Sequence, residues 1–369
     1  MALAAIIAML FLPFVLQYLS GSSSNSQLLK TIQSVQGNFY RFFLVVWVLV
    51  LGGCFGSFLN VVAWRVPNGR GILGSSKCPF CNTKLSFFSN LPFYGWLSSA
   101  GRCRTCKLPI SIRYLIAELV LGLIFLLIAT VGMGCGGWYL PTRPVDKEWG
   151  ILNFVLVPKL DLLLIVIYHL IVLCHLYLFA LVRVQRLVIP RSIIASALIG
   201  VVGFQILWPY VQEAHWPPDL EANSDWGAHF WTTLIMGAAT GAFCGWLVWI
   251  SHSRRAEPQG NVWSECFFGM LVIGLAFGFQ FALSVLLAVL IFDSMLILTG
   301  NTGHLFQVTP ITKIGVFCLT CLVSWRVTSY FPFWPGPFSD STSLVLAIGV
   351  AIVLANFMTF FSVPDRLES

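Results

Sequence analysis

Apolar residues gather in long unbroken blocks along this chain, with no strand-like alternation. The runs fall at residues 2–19, 42–64, 112–133, 160–182, 192–211, 228–250, 266–292, 314–331 and 342–362. Each is close to the ~20 residues that a helix needs to cross a hydrocarbon core. The pattern predicts an all-α polytopic membrane protein with about eight or nine transmembrane helices. The longest polar stretch, residues 65–113, separates the second run from the third and predicts a small extramembrane lobe. A Ser-rich linker from Gly21 to Gln27 follows the first run. That run has neither a basic start nor a small-residue cleavage site, so it does not read as a cleaved signal peptide. It is an anchor, or apolar sequence from a start placed too far upstream. No internal repeat is visible.

Composition agrees with lipid as the solvent. Hydrophobic residues make up 58% of the 369 and charged residues 9%, against about 25% charged in soluble domains. Mean hydropathy is +0.86. Soluble, disordered and disulfide-scaffold classes are excluded.

The charge sets an orientation. Arg65, Arg70, Lys77, Lys84, Arg102, Arg104, Lys107 and Arg113 lie in residues 65–113 with no acid among them. That stretch carries +8 of a net +7, which leaves −1 for the rest. The positive-inside rule places it in the cytoplasm. Alternation then puts Arg183, Arg186 and Arg191 in one cytoplasmic turn and Arg254 and Arg255 in the next. Glu213, Asp219, Glu221 and Asp225 fall outside. Topology explains the basic charge, with contact to anionic headgroups as a further reading. No groove-reading element points to nucleic acid.

Seven of the eleven cysteines (Cys54, Cys135, Cys174, Cys244, Cys266, Cys318, Cys321) sit in apolar surroundings and read as packing. The other four form two C-x-x-C pairs in the polar lobe: Cys78 with Cys81, and Cys103 with Cys106. Each pair makes a tight turn that aims two thiolates the same way. A reducing cytoplasm disfavours disulfides, so the pattern predicts a tetrahedral structural zinc site. The zinc would fold a lobe that has no core of its own.

The residues around this lobe carry a family resemblance. Gly56-Ser-Phe-Leu-Asn60 leads into Trp64-Arg65-Val66-Pro67. Then come Cys78-Pro-Phe-Cys81, Asn90-Leu-Pro92, Gly95-Trp96-Leu97, Gly101-Arg-Cys-Arg-Thr-Cys106 and Ile110-Ser-Ile-Arg-Tyr-Leu-Ile-Ala-Glu118. Over about residues 52–122 the chain resembles the N-terminal region of bacterial type IV prepilin peptidases. The resemblance implies an inner-membrane aspartic endopeptidase that cuts leaders from type IV prepilins and type II secretion pseudopilins on the cytoplasmic side. The partners it implies are the N-terminal helices of those substrates. It also implies S-adenosylmethionine as methyl donor in many members, although no motif here marks a site for it. The division it suggests is 1–41 as apolar segment and linker, then 42–133 as the prepilin-peptidase-like region containing the lobe (65–113). A peptidase-like helical domain at 160–292 and C-terminal transmembrane helices at 293–369 complete it. Glu118 corresponds to a family glutamate and reads as a lobe anchor.

The same resemblance locates two catalytic aspartates, and this chain departs at both. The first family stretch, Asp-x-x-x-x-x-x-Pro-Asp, aligns with Arg183 through Pro190 and Arg191. Arg183 stands at the first aspartate position and, always protonated, cannot act as a base. No acid lies between Asp161 and Glu213 to replace it. The second stretch, Gly-x-Gly-Asp-x-Lys, counted back from Gly274 and Gly278, puts Cys266 at the aspartate and Phe268 at the lysine. Glu265, one place away, is the remaining carboxylate candidate, or a solvated acid at a helix start. Arg183 and Glu265 together suggest an ion pair in place of the dyad.

Elsewhere, Asp161 and Asp293 read as residues near outer helix ends, and His169 and His175 are not spaced for one helix face. Three functions follow: a working peptidase whose carboxylates lie elsewhere, a non-catalytic relative that binds prepilin or secretion-machinery helices, and a transporter resting only on Asp161 and Asp293. The missing aspartates favour the second.

Overall fold

A computed structural model describes residues 26–78, 80–86, 88–143, 145, 159–211, 226–253, 262–299, 308–331, 334–336 and 341–361. The apolar run at 2–19 lies outside them, as do Arg254, Arg255 and the acids between 212 and 225. Nine long helices appear among the described residues, and no strand. They are α1 (Ser26–Arg65), α2 (Arg113–Ala129, prolonged by a π turn over Thr130–Gly134), α3 (Leu160–Val184), α4 (Arg191–Leu207), α5 (Trp226–Ser253), α6 (Val262–Phe277), α7 (Phe279–Leu298), α8 (Pro310–Thr328) and α9 (Ser341–Phe361). Six segments are long and apolar enough to cross a membrane: Asn38–Arg65, Arg113–Gly134, Leu160–Val184, Phe230–Ser253, Phe279–Leu298 and Pro310–Thr328. Arg191–Leu207, Val262–Phe277 and Leu344–Asn356 are shorter apolar helices. The protein is a multi-pass membrane protein.

Glycines set the closest helix approaches. On α5, Gly237, Gly241 and Gly245 recur every four residues and share one face. That face meets the α6 backbone at Gly274, Met270 and Cys266. On α1, Gly52 and Gly56 lie against Gly122 and Ala117 of α2. With lipid as apolar as the side chains, such close packing replaces a hydrophobic driving force.

Contacts fix the direction of each helix. Tyr168 Oη donates to the Ala276 carbonyl at 3.1 Å, while Arg183 meets Glu265, so α3 and α6 are antiparallel. Gly245 faces Cys266 and Gly237 faces Gly274, so α5 and α6 are antiparallel too. Tyr177 Oη, near the end of α3, donates to the Ala117 carbonyl in the first turns of α2 at 3.0 Å, so the lobe, the α3–α4 turn and the start of α6 share one end of the bundle.

The run at 266–292 is not one span. It folds as α6 and α7, which meet at Gly278 with φ 86° and turn back on each other. Phe281 of α7 packs on Trp325 of α8, whereas Asp293 reaches Lys313 and His252 at the end of α5. Asp293 thus lies at the lobe end, not the outer end, and the 292/293 boundary falls inside α7. A single helix over that run would measure about 40 Å, longer than a ~30 Å core requires. At the break, Gly278 N still donates to the Gly274 carbonyl at 3.0 Å, and the Gly278 carbonyl accepts from Ala282 N at 3.2 Å.

Candidate functional site

The lobe consists of two similar knuckles. In the first, Cys78 N donates to Thr83 O and Asn82 N to Cys78 O, both at 3.0 Å. In the second, Cys103 N donates to Leu108 O and Lys107 N to Cys103 O, both at 2.9 Å. Asn82 (φ 55°) and Lys107 (φ 61°) take the left-handed turn after each pair. The four sulfurs lie within 4.8 Å of one another, with Cys78–Cys106 at 3.8 Å and Cys81–Cys103 at 3.9 Å. A tetrahedral thiolate site with metal–sulfur bonds near 2.3 Å needs about 3.8 Å between sulfurs. The cluster can therefore hold a metal ion, and all four thiols are free of disulfides.

The thiols differ in acidity. The Thr83 side chain, 3.3 Å from Cys81 Sγ, and then the Thr83 amide draw the Cys81 pKa down to about 6. The Cys106 and Thr105 amides lower Cys103. The Leu108 amide pulls Cys106 down, but desolvation and the neighbouring sulfurs carry it up to about 11.

Two contacts, through Glu118 and Arg65, tie the lobe to the helices, and a third, from Trp96, closes the lobe on itself. Phe93 N donates to Glu118 Oε2 at 2.8 Å, which gives Glu118 the anchoring place that its position suggests. Trp96 Nε1 donates to Ile110 O at 3.2 Å. Arg65 Nη1 donates to Ile72 O at 2.9 Å and folds the chain back over the end of α1.

The last turn of α3 and the first turn of α6 meet beneath this lobe. Arg183 Nε lies 2.5 Å from Glu265 Oε1. The contact is one of charge, off the hydrogen-bond axis, and Arg183 Nη1 also donates to Leu187 O at 3.0 Å. Glu265 is 1% exposed, so it is not a solvated acid at a helix start. Cys266 is fully buried against Gly245. The two positions where aspartates were expected are thus brought to one seam, and a cation–carboxylate pair occupies it.

A second charged cluster was not visible in the sequence. Asp293, fully buried, lies 2.6 Å from Lys313 Nζ and 2.9 Å from His252 Nε2. The signal was present as two charges at the edges of apolar runs, Asp293 and Lys313, but reading 266–292 as one span placed Asp293 at the outer end and hid their meeting. Asp161 pairs with Arg143 at 2.7 Å at the opposite end, largely exposed. His169 is buried with Nδ1 2.6 Å from Tyr139 Oη, and among the described residues no metal-ligating group other than the four cysteines forms. Cys318 and Cys321 are buried within α8.

Residues 50–131 match the Bacterial Peptidase A24 N-terminal domain. This segment is similar to the N-terminal region of bacterial prepilin peptidases. The prepilin leader peptidase/N-methyltransferase of Myxococcus xanthus is 46% identical over 96 residues, 26% of this chain and 28% of the relative. That of Klebsiella pneumoniae is 38% identical over 95 residues, 24% of this chain and 42% of the relative. That of Neisseria gonorrhoeae is 33% identical over 112 residues, covering 24% and 39%. The chain therefore spans well under half the length of these prepilin peptidases. No solved structure matches. The family match ends at residue 131, so it contains the four cysteines and Glu118 but neither Arg183 nor Cys266.

Proposed function

We propose that this chain is a bacterial inner-membrane protein that holds the N-terminal helices of type IV prepilins or type II secretion pseudopilins on a prepilin peptidase scaffold, without cutting them by aspartic chemistry. Its four-cysteine lobe faces the cytoplasm and carries a structural zinc ion. The Arg183–Glu265 pair supports this reading most strongly. An aspartic pair works because two carboxylates share a site, one charged to activate water and the other protonated. Here the guanidinium stays charged and stands 2.5 Å from Glu265 Oε1, where the family places a carboxyl group. Cys266 supplies no second carboxyl group.

The zinc would be held by Cys78, Cys81, Cys103 and Cys106, and it would supply a fixed cross-link between the two knuckles. No residue of the chain is assigned to S-adenosylmethionine. Asp161 and Asp293 stand at opposite ends of the bundle and do not form one site. One observation favours a surviving peptidase: Glu265 and Asp293 are both buried acids at the lobe end. Each faces its own cation, Glu265 facing Arg183 and Asp293 facing Lys313, so the two do not form one shared site.

Photo-crosslinking of the full chain in lipid nanodiscs to a prepilin from the same cell tests the proposal. Probes placed along α3 and α6 should capture the substrate helix with its leader intact. Absence of crosslinks, or recovery of trimmed prepilin alone, would overturn it.

A further inference from the structure

The His252–Asp293–Lys313 cluster joins α5, α7 and α8 at the lobe end, and its hydrogen bonds determine where protons sit. Ser251 Oγ donates to the Val248 carbonyl at 2.7 Å, so its one proton is spent there. At 3.0 Å from His252 Nδ1 this hydroxyl can then only accept. The Val248 carbonyl, 2.9 Å from the same nitrogen, can likewise only accept. Two acceptors therefore fix a proton on Nδ1. Nε2 becomes the titrating position, and it lies 2.9 Å from Asp293 Oδ2, off the hydrogen-bond axis. That contact is attractive only when the ring carries its second proton. In the neutral ring, Nε2 is a buried nitrogen beside a carboxylate oxygen. Lys313 Nζ, 2.6 Å from Oδ1, keeps Asp293 ionised.

We infer that His252, Asp293 and Lys313 form a buried proton-binding site that latches α5 to α7. Uptake of one proton at Nε2 closes the ion pair and gives the cluster a net charge of +1. Release leaves Lys313 and Asp293 paired and frees the end of α5. Few other charges face the site. α9, which packs on α5 and α7, has no titratable side chain in residues 341–361. α6 brings Cys266 and Glu265, the latter held by Arg183. Within α7, Asp293 is the sole ionisable group. α5 and α6 are antiparallel with Gly245 against Cys266, so the end of α5 lies at the same end of the bundle as the Arg183–Glu265 seam. The inference stands independently of what the chain binds.

Two measurements on the full chain in nanodiscs test it. Hydrogen exchange, corrected for intrinsic rate, should rise roughly tenfold or more over residues 248–253 and 290–298 as His252 loses its proton. In His252→Gln, exchange there should be fast and independent of pH. Nitrogen-15 spectra of the histidine-labelled wild-type chain should show one doubly protonated ring on the acid side of this transition that Asp293→Asn abolishes. If Asp293→Asn does not fold, His252→Gln assigns the same signal. A wild-type exchange profile flat in pH would overturn the latch. So would a His252 ring that stays neutral on the acid side, or a His252→Gln profile that keeps the wild-type pH dependence.

Discussion

Arg183 and Glu265 meet at 2.5 Å with little access to water, so each holds the other's charge in a poor solvent. Arg183→Met leaves Glu265 buried beside no cation and should cost about 3 kcal/mol of stability. The Arg183→Glu/Glu265→Arg exchange should recover much of that loss in thermal denaturation. Strictly additive losses from the two single exchanges would dissociate the pair energetically. In the lobe, the low Cys81 pKa of about 6 makes this thiol a thiolate at neutral pH, the form that ligates a metal. A bound ion competes with the proton, so release should need acid below that value, and loss of the ion should unfold the knuckles. Thr83→Ala removes the largest contribution to the lowered pKa, so metal loss should begin at a higher pH, read by a chromophoric chelator. The four cysteines were legible because their spacing is local. The His252–Asp293–Lys313 cluster was not, because its members come from three helices that only the packing brings together.

Gly278 is the element-scale hinge of the molecule. Its φ of 86° with ψ of 176° suits a residue without a Cβ, and Gly278→Ala should destabilise the α6–α7 hairpin by about 1–3 kcal/mol. Gly241→Leu should do more, because even a Cβ there would lie 2.5 Å from the Met270 carbonyl and force α5 from α6. Both effects can be read as lowered melting temperatures in one detergent. Helix existence was plain from the apolar blocks, and α3, α4 and α5 begin and end within a few residues of expectation. The α6–α7 turn was hidden because it needs no polar residue. Its amide is satisfied by the Gly274 carbonyl, so Phe277, Gly278 and Phe279 read as one more piece of apolar helix. Only the excess length of the run pointed to a turn.

At the scale of the whole molecule, that hairpin reverses the sense of everything after it. The segment between Leu298 and Pro310 should lie on the same side of the membrane as the four-cysteine lobe. An epitope inserted there should be protected or exposed together with one in residues 66–76, and opposite labelling would restore a single span at 266–292. The lobe end then gathers the four cysteines, the Arg183–Glu265 seam and the buried Asp293 cluster on one face. A segment similar to the Bacterial Peptidase A24 N-terminal domain, residues 50–131, thus adjoins the Arg183–Glu265 seam. The most direct measurement is leader cleavage of a prepilin from the same cell by the purified chain, metal retained, beside Arg183→Asp/Cys266→Asp. The native chain should leave the leader intact while the double variant removes it. Cleavage by the native chain would contradict a disabled seam and make Glu265 the residue to replace next.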